Sequence, residues 1–161
     1  MKKLLPVLLV VLVVALLVIQ LIPVQRGNPP VTADMPTSPE VKAILKRACY
    51  DCHSNETVWP WYSRIAPVTW LVAWDVAEGR EEVNFSIWDQ YGPKDQGEKI
   101  HESWETVAEG EMPPWYYTIV RREARLSPED RQVLRTWAEA SPRMKEGKEE
   151  NEHRGKRKDD D

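Results

Sequence analysis

A chain of 161 residues with a formal net charge of −4 leaves room for one modest domain once its atypical ends are set aside. Acidic residues outnumber basic ones between Ser38 and Ser141, and no segment offers the basic surface that phosphate binding requires, so a nucleic-acid partner is disfavoured. Eight tryptophans beside one phenylalanine indicate a membrane boundary or the lining of a large apolar ligand, although any single tryptophan could equally pack in a core.

The amino terminus predicts a membrane anchor. Lys2 and Lys3 precede a nearly unbroken apolar run, and about 20 such residues can cross a bilayer. The apolar region of a removable signal is shorter, about 7 to 15 residues, and a cleavage-like Val-Thr-Ala at 31–33 lies too far beyond the run. We therefore expect an uncleaved transmembrane helix over residues 4–24, with cleavage as the alternative. Because positive charge stays inside, residues 1–3 are expected in the cytoplasm and the domain on the periplasmic or extracytoplasmic side of the cell membrane.

Two segments are predicted to lie outside the core. Residues 25–37 are rich in proline and have no apolar period, which is typical of an extended tether between the bilayer and a domain. Residues 142–161 alternate charges and contain no large apolar residue beyond Met144, so we expect a disordered tail. The working domain is then confined to residues 38–141.

The domain is predicted to be small and all-α, since no strand pattern is found. Helix-start signals and glycine stops define its elements. We expect one helix from Ser38-Pro39 through the cysteines, one over about 67–77 with Gly79 as its stop, one over about 97–109 before Gly110, and one from Ser127-Pro128 to the residues before Pro142.

The sequence "CYDCH" contains both cysteines of the chain, Cys49 and Cys52, followed at once by His53. Two thiols one helical turn apart can add to the two vinyl groups of a haem, and the adjacent imidazole then lies beneath the ring with a nitrogen toward the iron. The motif therefore predicts one covalently attached haem c per chain, with His53 as the proximal iron ligand.

Three other interpretations of the cysteines stay open. A thioredoxin-like redox pair expects a strand leading into a helix, whereas here a helix leads into the cysteines. A zinc site needs a fourth ligand, and neither His101 nor His153 belongs to a recognisable second half of such a site. A structural disulfide is possible in an oxidising compartment.

The sequence suggests candidates for the second iron ligand. Met112 lies in "GEMPPWYY", where two prolines stiffen a loop that could hold a thioether against the iron. His101 is the alternative distal ligand, and a vacant position is the third possibility.

Other residues are candidates for the haem pocket. The second ring nitrogen of His53 needs an acceptor, which we expect to be a backbone carbonyl of the 59–67 loop. Candidate donors to the haem propionates follow from side-chain chemistry, and each could equally be surface or core decoration. They are Trp59, Trp61, Tyr62, Arg64 and Arg80.

The order of CxxCH, intervening helices, a Met-Pro loop and a final helix resembles the cytochrome c fold, which implies His53 and Met112 as axial ligands. The stretch "CYDCHSNETVWPWYSRIAPVTWLVAWDVAEGREEVNFSIW" is similar to a family of haem-binding domains with WPWYS after CxxCH. The likeness runs from about Val41 to Trp88 and resumes weakly at "GEMPPWYY" and "EARLSPEDRQVLRTW". The family implies c-type haem attachment, often on an exported or membrane-anchored chain. Some members have His-Pro where this chain has Arg121-Arg122, which puts a positive charge near the site instead.

These observations favour a membrane-anchored monohaem c-type cytochrome that passes single electrons to an extracytoplasmic redox protein, and not an enzyme. A haem-based sensor or binder of small ligands, such as gases or peroxide, is the alternative. A peroxidase-like enzyme would need acid or base groups such as Glu109, Glu111 or His101 beside an open iron. The oligomeric state and the partner's identity do not follow from the sequence.

Overall fold

The computed structural model describes residues 4–142 of the chain. Seven α-helices and three short 3-10 turns make up this part, and none of its residues forms a regular strand. The helices are α1 (Leu4–Ile19), α2 (Pro39–Ala48), α3 (Tyr50–His53), α4 (Val68–Glu82), α5 (Pro93–Glu109), α6 (Trp115–Val120) and α7 (Pro128–Ala140); the 3-10 turns are Trp61–Arg64, Trp88–Gln90 and Arg122–Ala124. The predicted small all-α class is confirmed.

The apolar amino-terminal run forms a helix that is shorter than predicted. Of the expected span 4–24, the 16 residues Leu4–Ile19 are helical, and the large apolar side chains of α1 other than Ile19 are exposed. Over residues 4–142, no helix has both the length and the hydropathy needed to cross a bilayer. Residues 1–3 and all of the predicted tail except Pro142 lie outside the described part.

The helix-start signals at α2 and α7 are confirmed. Ser38 Oγ accepts a hydrogen bond from Val41 N at 3.3 Å, and Pro39 occupies the first turn of α2. At α7, Ser127 and Asp130 form a reciprocal capping box. An ion pair of 2.6 Å between Arg47 Nη2 and Asp130 Oδ2 joins α2 to the start of α7.

The core lies where α2, α5 and α7 pack together with the chain that follows α4. Apolar side chains one helical turn apart bury one face of each helix, which is the packing that their spacing predicts. The fully packed members are Met35, Val41, Ile44, Leu45, Tyr50, Val83, Phe85, Trp88, Val107 and Leu134.

The proline-rich segment 25–37 is extended but does not stand free of the domain. Backbone bonds tie it to the loop after α4, and Met35, only 1% exposed, inserts into the core. The backbone nitrogen of Met35 donates to Phe85 O at 2.9 Å, and Ala33 pairs in parallel with Ile87. The composition predicted a free tether because Met35 lies among polar residues and prolines. The sequence therefore does not show that its side chain packs in the core.

Two helix boundaries differ from the sequence prediction. α4 continues through Gly79 to Glu82, so Gly79 is not a stop, whereas Gly110 ends α5 as predicted, with a left-handed φ of 83°. α5 begins earlier than expected, with Gly92 as its N-cap and Pro93 in its first turn.

Candidate functional site

The two cysteines lie at a break between two helices. Cys49 is the C-cap of α2, with φ −123° and ψ −35°, and Cys52 lies in the single turn of α3. Hydrogen bonds from Cys52 N and His53 N to Cys49 O, of 3.1 and 2.9 Å, close that turn. The cysteines therefore sit one turn apart, as the spacing predicts, although α2 is interrupted at Cys49 and does not run on through the motif.

Tyr50 fixes this turn to the rest of the domain. Its ring is buried and stacks on Phe85 with centroids 5.4 Å apart. Its hydroxyl donates to Asp34 Oδ1 at 2.6 Å and accepts from Lys42 Nζ at 2.9 Å. Tyr50, one of the two residues between the cysteines, thus anchors the turn to the core.

His53 is held by two carbonyl groups of α4 and its cap. Its Nδ1 lies 2.7 Å from Gly79 O and 3.2 Å from Val83 O. Both neighbours are acceptors, so Nδ1 carries the proton and donates, and Nε2 keeps its lone pair free for a ligand. The acceptor is thus provided, although by α4 and not by the 59–67 loop expected from the sequence.

The same surroundings keep the imidazole neutral. Burial lowers the pKa of His53 below its ordinary value, and the hydrogen bonds to Gly79 and Val83 oppose this only in part. A neutral imidazole with a directed Nε2 lone pair is the form in which histidine binds a metal.

Gly79 allows α4 to approach α3 closely enough for that hydrogen bond. A Cβ added at Gly79 would lie 3.0 Å from Cys52 O and 3.1 Å from Cys52 Cβ. Both atoms belong to the α3 turn and cannot rotate away. The glycine therefore serves helix contact, and not helix termination.

A cleft opens beside the motif and is made of two adjoining cavities of about 210 and 260 Å³. Together they fall in the size range of small-molecule and cofactor sites. Cys49, His53, Glu82 and Met112 line both cavities, so these four residues mark the boundary where the cavities meet. The walls are mainly apolar and aromatic.

Met112 reaches the cleft from the loop after α5. Gly110 turns the chain, and Glu111 N and Met112 N donate to Thr106 O at 3.0 and 3.2 Å. These bonds hold the half-buried Met112 beside the core. His101, by contrast, lies on α5 with Nε2 3.3 Å from Ser141 O and lines neither cavity.

The family model described as haem-binding domain matches residues 14–140. The chain belongs to the haem-binding domain family. The match begins inside α1 and includes the proline-rich segment as well as the helical domain. Neither a curated protein nor a solved structure matches the chain.

The residues of the cleft fit the cofactor for which the family is named. Haem needs a flat apolar pocket, an iron ligand directed into it and, for covalent attachment, thiols at its edge. The cleft has apolar walls, the free Nε2 of His53 and the thioether of Met112. Cys49 and Cys52 border the second cavity, and both are free of disulfides.

The thiols are poorly suited to a thioredoxin-like redox role. Burial raises the pKa of Cys49 to about 12, with the neighbouring Cys52 contributing, and raises that of Cys52 to about 12, with Asp75 and Asp51 contributing. A thioredoxin-like nucleophile requires a thiolate. Residues 4–142 also contain no cluster of three or more histidine, cysteine or acidic side chains that could hold a metal ion.

The predicted propionate donors lie elsewhere. Arg80 donates to Ser54 O, Gly27 O and the side chains of Asn28 and Thr57, so it fastens the proline-rich segment. Trp59 Nε1 donates to Asn28 Oδ1 at 3.2 Å.

The three remaining candidates lie on the side of the domain near the end of α1. Trp61 is 75% exposed and Arg64 is exposed, and neither lines the cleft. Tyr62 lines a separate groove that reaches Cys52. Of the five donors suggested by the sequence, none lines the two cavities that contain His53.

Residues that the sequence analysis did not single out line the first cavity. Trp104 on α5 and Trp137 on α7 line the first cavity, together with Lys99 and Ser103. Lys99 Nζ donates to Glu82 O and Ser103 Oγ donates to Lys99 O at 2.7 Å, so both donors are bonded within the protein. The apolar periodicity of α5 and α7 predicts that these two tryptophans face the interior. The sequence does not show that this interior side borders a cavity.

Residues of α4 and α6 line the second cavity. Trp74, Tyr116 and Tyr117 line it, and Tyr117 Oη donates to Asp51 Oδ2 at 2.9 Å. Arg121 Nη2 pairs with the same carboxylate at 3.0 Å. The positive charge expected near the site is thus neutralised by Asp51, next to Cys52.

Proposed function

We propose that this chain is a membrane-anchored, monohaem c-type cytochrome that carries single electrons outside the cytoplasmic membrane. The observation that carries the proposal is one cleft bordered by His53, with its Nε2 free, by the thioether of Met112 and by both thiols. A bound haem supplies a one-electron iron centre.

Each residue has a definite role in this proposal. The thiols of Cys49 and Cys52 would hold the cofactor through thioether bonds to its two vinyl groups, even in an imperfect pocket. Nε2 of His53 and the thioether of Met112 would be the two protein ligands of the iron.

Hydrogen bonds of the protein support both ligands. Nδ1–H of His53 is fixed by Gly79 O and Val83 O, and the backbone of Met112 is fixed by Thr106 O. Side chains held in this way would move little on a change in the charge of the iron, which would favour electron transfer over catalysis at an open iron. We therefore propose an electron carrier and not an enzyme.

The membrane part of the proposal rests on residues 4–24. Their apolar side chains are largely exposed, and exposed apolar surface of this extent calls for a lipid or protein partner. The domain would then lie on the periplasmic side, with a redox protein of that compartment as its partner.

The test is to produce the full chain in a host that attaches haem to CxxCH motifs. We expect haem to stay with the polypeptide on a denaturing gel and the reduced protein to have a low-spin spectrum. The double variant Cys49→Ser with Cys52→Ser should lose the covalent haem. Colourless, unmodified polypeptide from the wild-type chain would refute c-type attachment.

A matched pair of variants tests the second ligand. Met112→Ala should lower the reduction potential and open the iron to carbon monoxide, whereas His101→Ala should change neither property, because His101 lies outside the cleft. If the unaltered protein already binds carbon monoxide readily, the iron is open, and the haem-based sensor or ligand-binding function replaces electron transfer.

A further inference from the structure

An exposed apolar surface lies on the segment 58–71, to which the end of α1 is fastened, and includes Val120 in the same groove. We call it the apolar face; each of its residues is between 40% and 75% exposed. The residues are Val58, Trp61, Ile65, Val68, Leu71 and Val120. Val58, Val68, Leu71 and Val120 line one groove, and Tyr62, whose ring lies 5.8 Å from that of Trp61, lines it too.

The end of α1 is fastened to the segment that carries this face. Gln20 Oε1 accepts from Ala66 N at 2.9 Å, and Gln20 Nε2 donates to Ala66 O at 3.2 Å. Arg26 Nη1 donates to Ser63 O at 2.8 Å and to Thr69 Oγ1 at 3.0 Å. These contacts fix where the helix leaves the domain, directly between Ile65 and Val68.

Exposed apolar surface of this kind marks an interaction site, and tryptophan in particular favours the boundary between lipid and water. A bilayer that receives the apolar side chains of α1 must come close to Ala66, and hence to the apolar face around it. Arg64, exposed within the same segment, can meet lipid phosphates while its neighbours enter the acyl region.

We propose that the apolar face rests in the headgroup region of the bilayer that holds α1. The occupant of the face is thus lipid, and the domain lies against the membrane in a fixed orientation. This inference rests on the membrane anchoring proposed above and adds a second membrane contact to it.

The orientation bears on electron transfer. The groove of the apolar face and the second cavity of the cleft share Cys52, Asp75, Tyr116 and Tyr117. Docking by this face therefore places one edge of the cleft close to the membrane plane. A redox partner that is itself held at the membrane would meet that edge by lateral diffusion.

The experiment uses the full chain in phospholipid nanodiscs. The photocrosslinking amino acid benzoylphenylalanine is placed, one position at a time, at Trp61, at Leu71 and at two controls. Leu12 in α1 is the control for anchoring. Thr136 is the control for exposed surface. Its side chain is exposed, and it lies on α7, which packs on α2 and α5 and contributes no residue to the apolar face. Circular dichroism checks that each variant is folded, and mass spectrometry detects lipid adducts after irradiation.

We expect lipid adducts at 61 and 71 in yields close to that at 12, and none above background at 136. Adducts at 12 alone would overturn the inference while leaving the anchor in place. Crosslinks from 61 or 71 to protein would also overturn it, because the face would then be a protein interface. No adduct at any of the four positions would refute the anchoring itself.

Discussion

Replacing Gly79 by alanine tests the contact that positions His53. In an exposed helix interior this change stabilises a protein by about 1 kcal/mol, because glycine loses more backbone freedom on folding. Here the added Cβ would lie 3.0 Å from Cys52 O and 3.1 Å from Cys52 Cβ. Overpacking of this kind costs about 1–3 kcal/mol, so the net effect is destabilisation of up to about 2 kcal/mol.

The neighbour cannot easily give way. Cys52 lies in the α3 turn, which is closed by hydrogen bonds to Cys49 O and joined to the core through the buried Tyr50. Any shift that relieves the clash also lengthens the 2.7 Å contact between His53 Nδ1 and Gly79 O. We therefore expect the variant to be less stable and its imidazole less firmly held.

The assay is urea unfolding of the holoprotein followed by circular dichroism, together with the reduction potential. Ala77→Gly is the matched control, since Ala77 is an exposed position of the same helix and reports propensity alone. It should lose about 1 kcal/mol without a change in potential. If Gly79→Ala is instead more stable by the amount that the control loses, the close-contact argument is wrong.

Three further predictions concern the framework around the site. Tyr50→Phe should destabilise the protein by about 0.5–1.5 kcal/mol in urea unfolding, since Asp34 loses a hydrogen bond but is exposed enough to be rehydrated. Ser127→Ala should cost about 1 kcal/mol, because it removes the acceptor of the α7 capping box; an unchanged urea midpoint would contradict this. Burial alone would raise the pKa of Asp130, but hydrogen bonds from Arg47 and Ser127 outweigh it and lower the pKa below the ordinary 3.8. Stability from this group is present above pH 3.8 and falls as the pH drops through the lowered pKa, so Asp130→Asn should flatten the acid limb of stability against pH.

The sequence predicted the elements whose signals are local. Serine caps followed by proline mark the starts of α2 and α7, and a glycine with positive φ ends α5. The CxxCH motif predicted a haem site, and its two thiols and imidazole do border the cleft. The prediction for Gly79 is wrong because a glycine that stops a helix and a glycine that admits a neighbouring backbone look alike in one dimension.

The positions of the site's partners depend on contacts between distant residues. The carbonyls that hold His53 lie 26 and 30 residues away, Met112 reaches the cleft from a different helix end, and Met35 draws the proline-rich segment into the core. No periodicity within one helix encodes such pairings. The chain by itself determined its chemistry, namely thiols, imidazole and thioether, because side-chain type and short-range spacing are properties of the sequence. The tertiary structure alone decided which of these atoms face the same cleft. That placement depends on how closely α3 can approach α4, and on where the loop after α5 packs beside them.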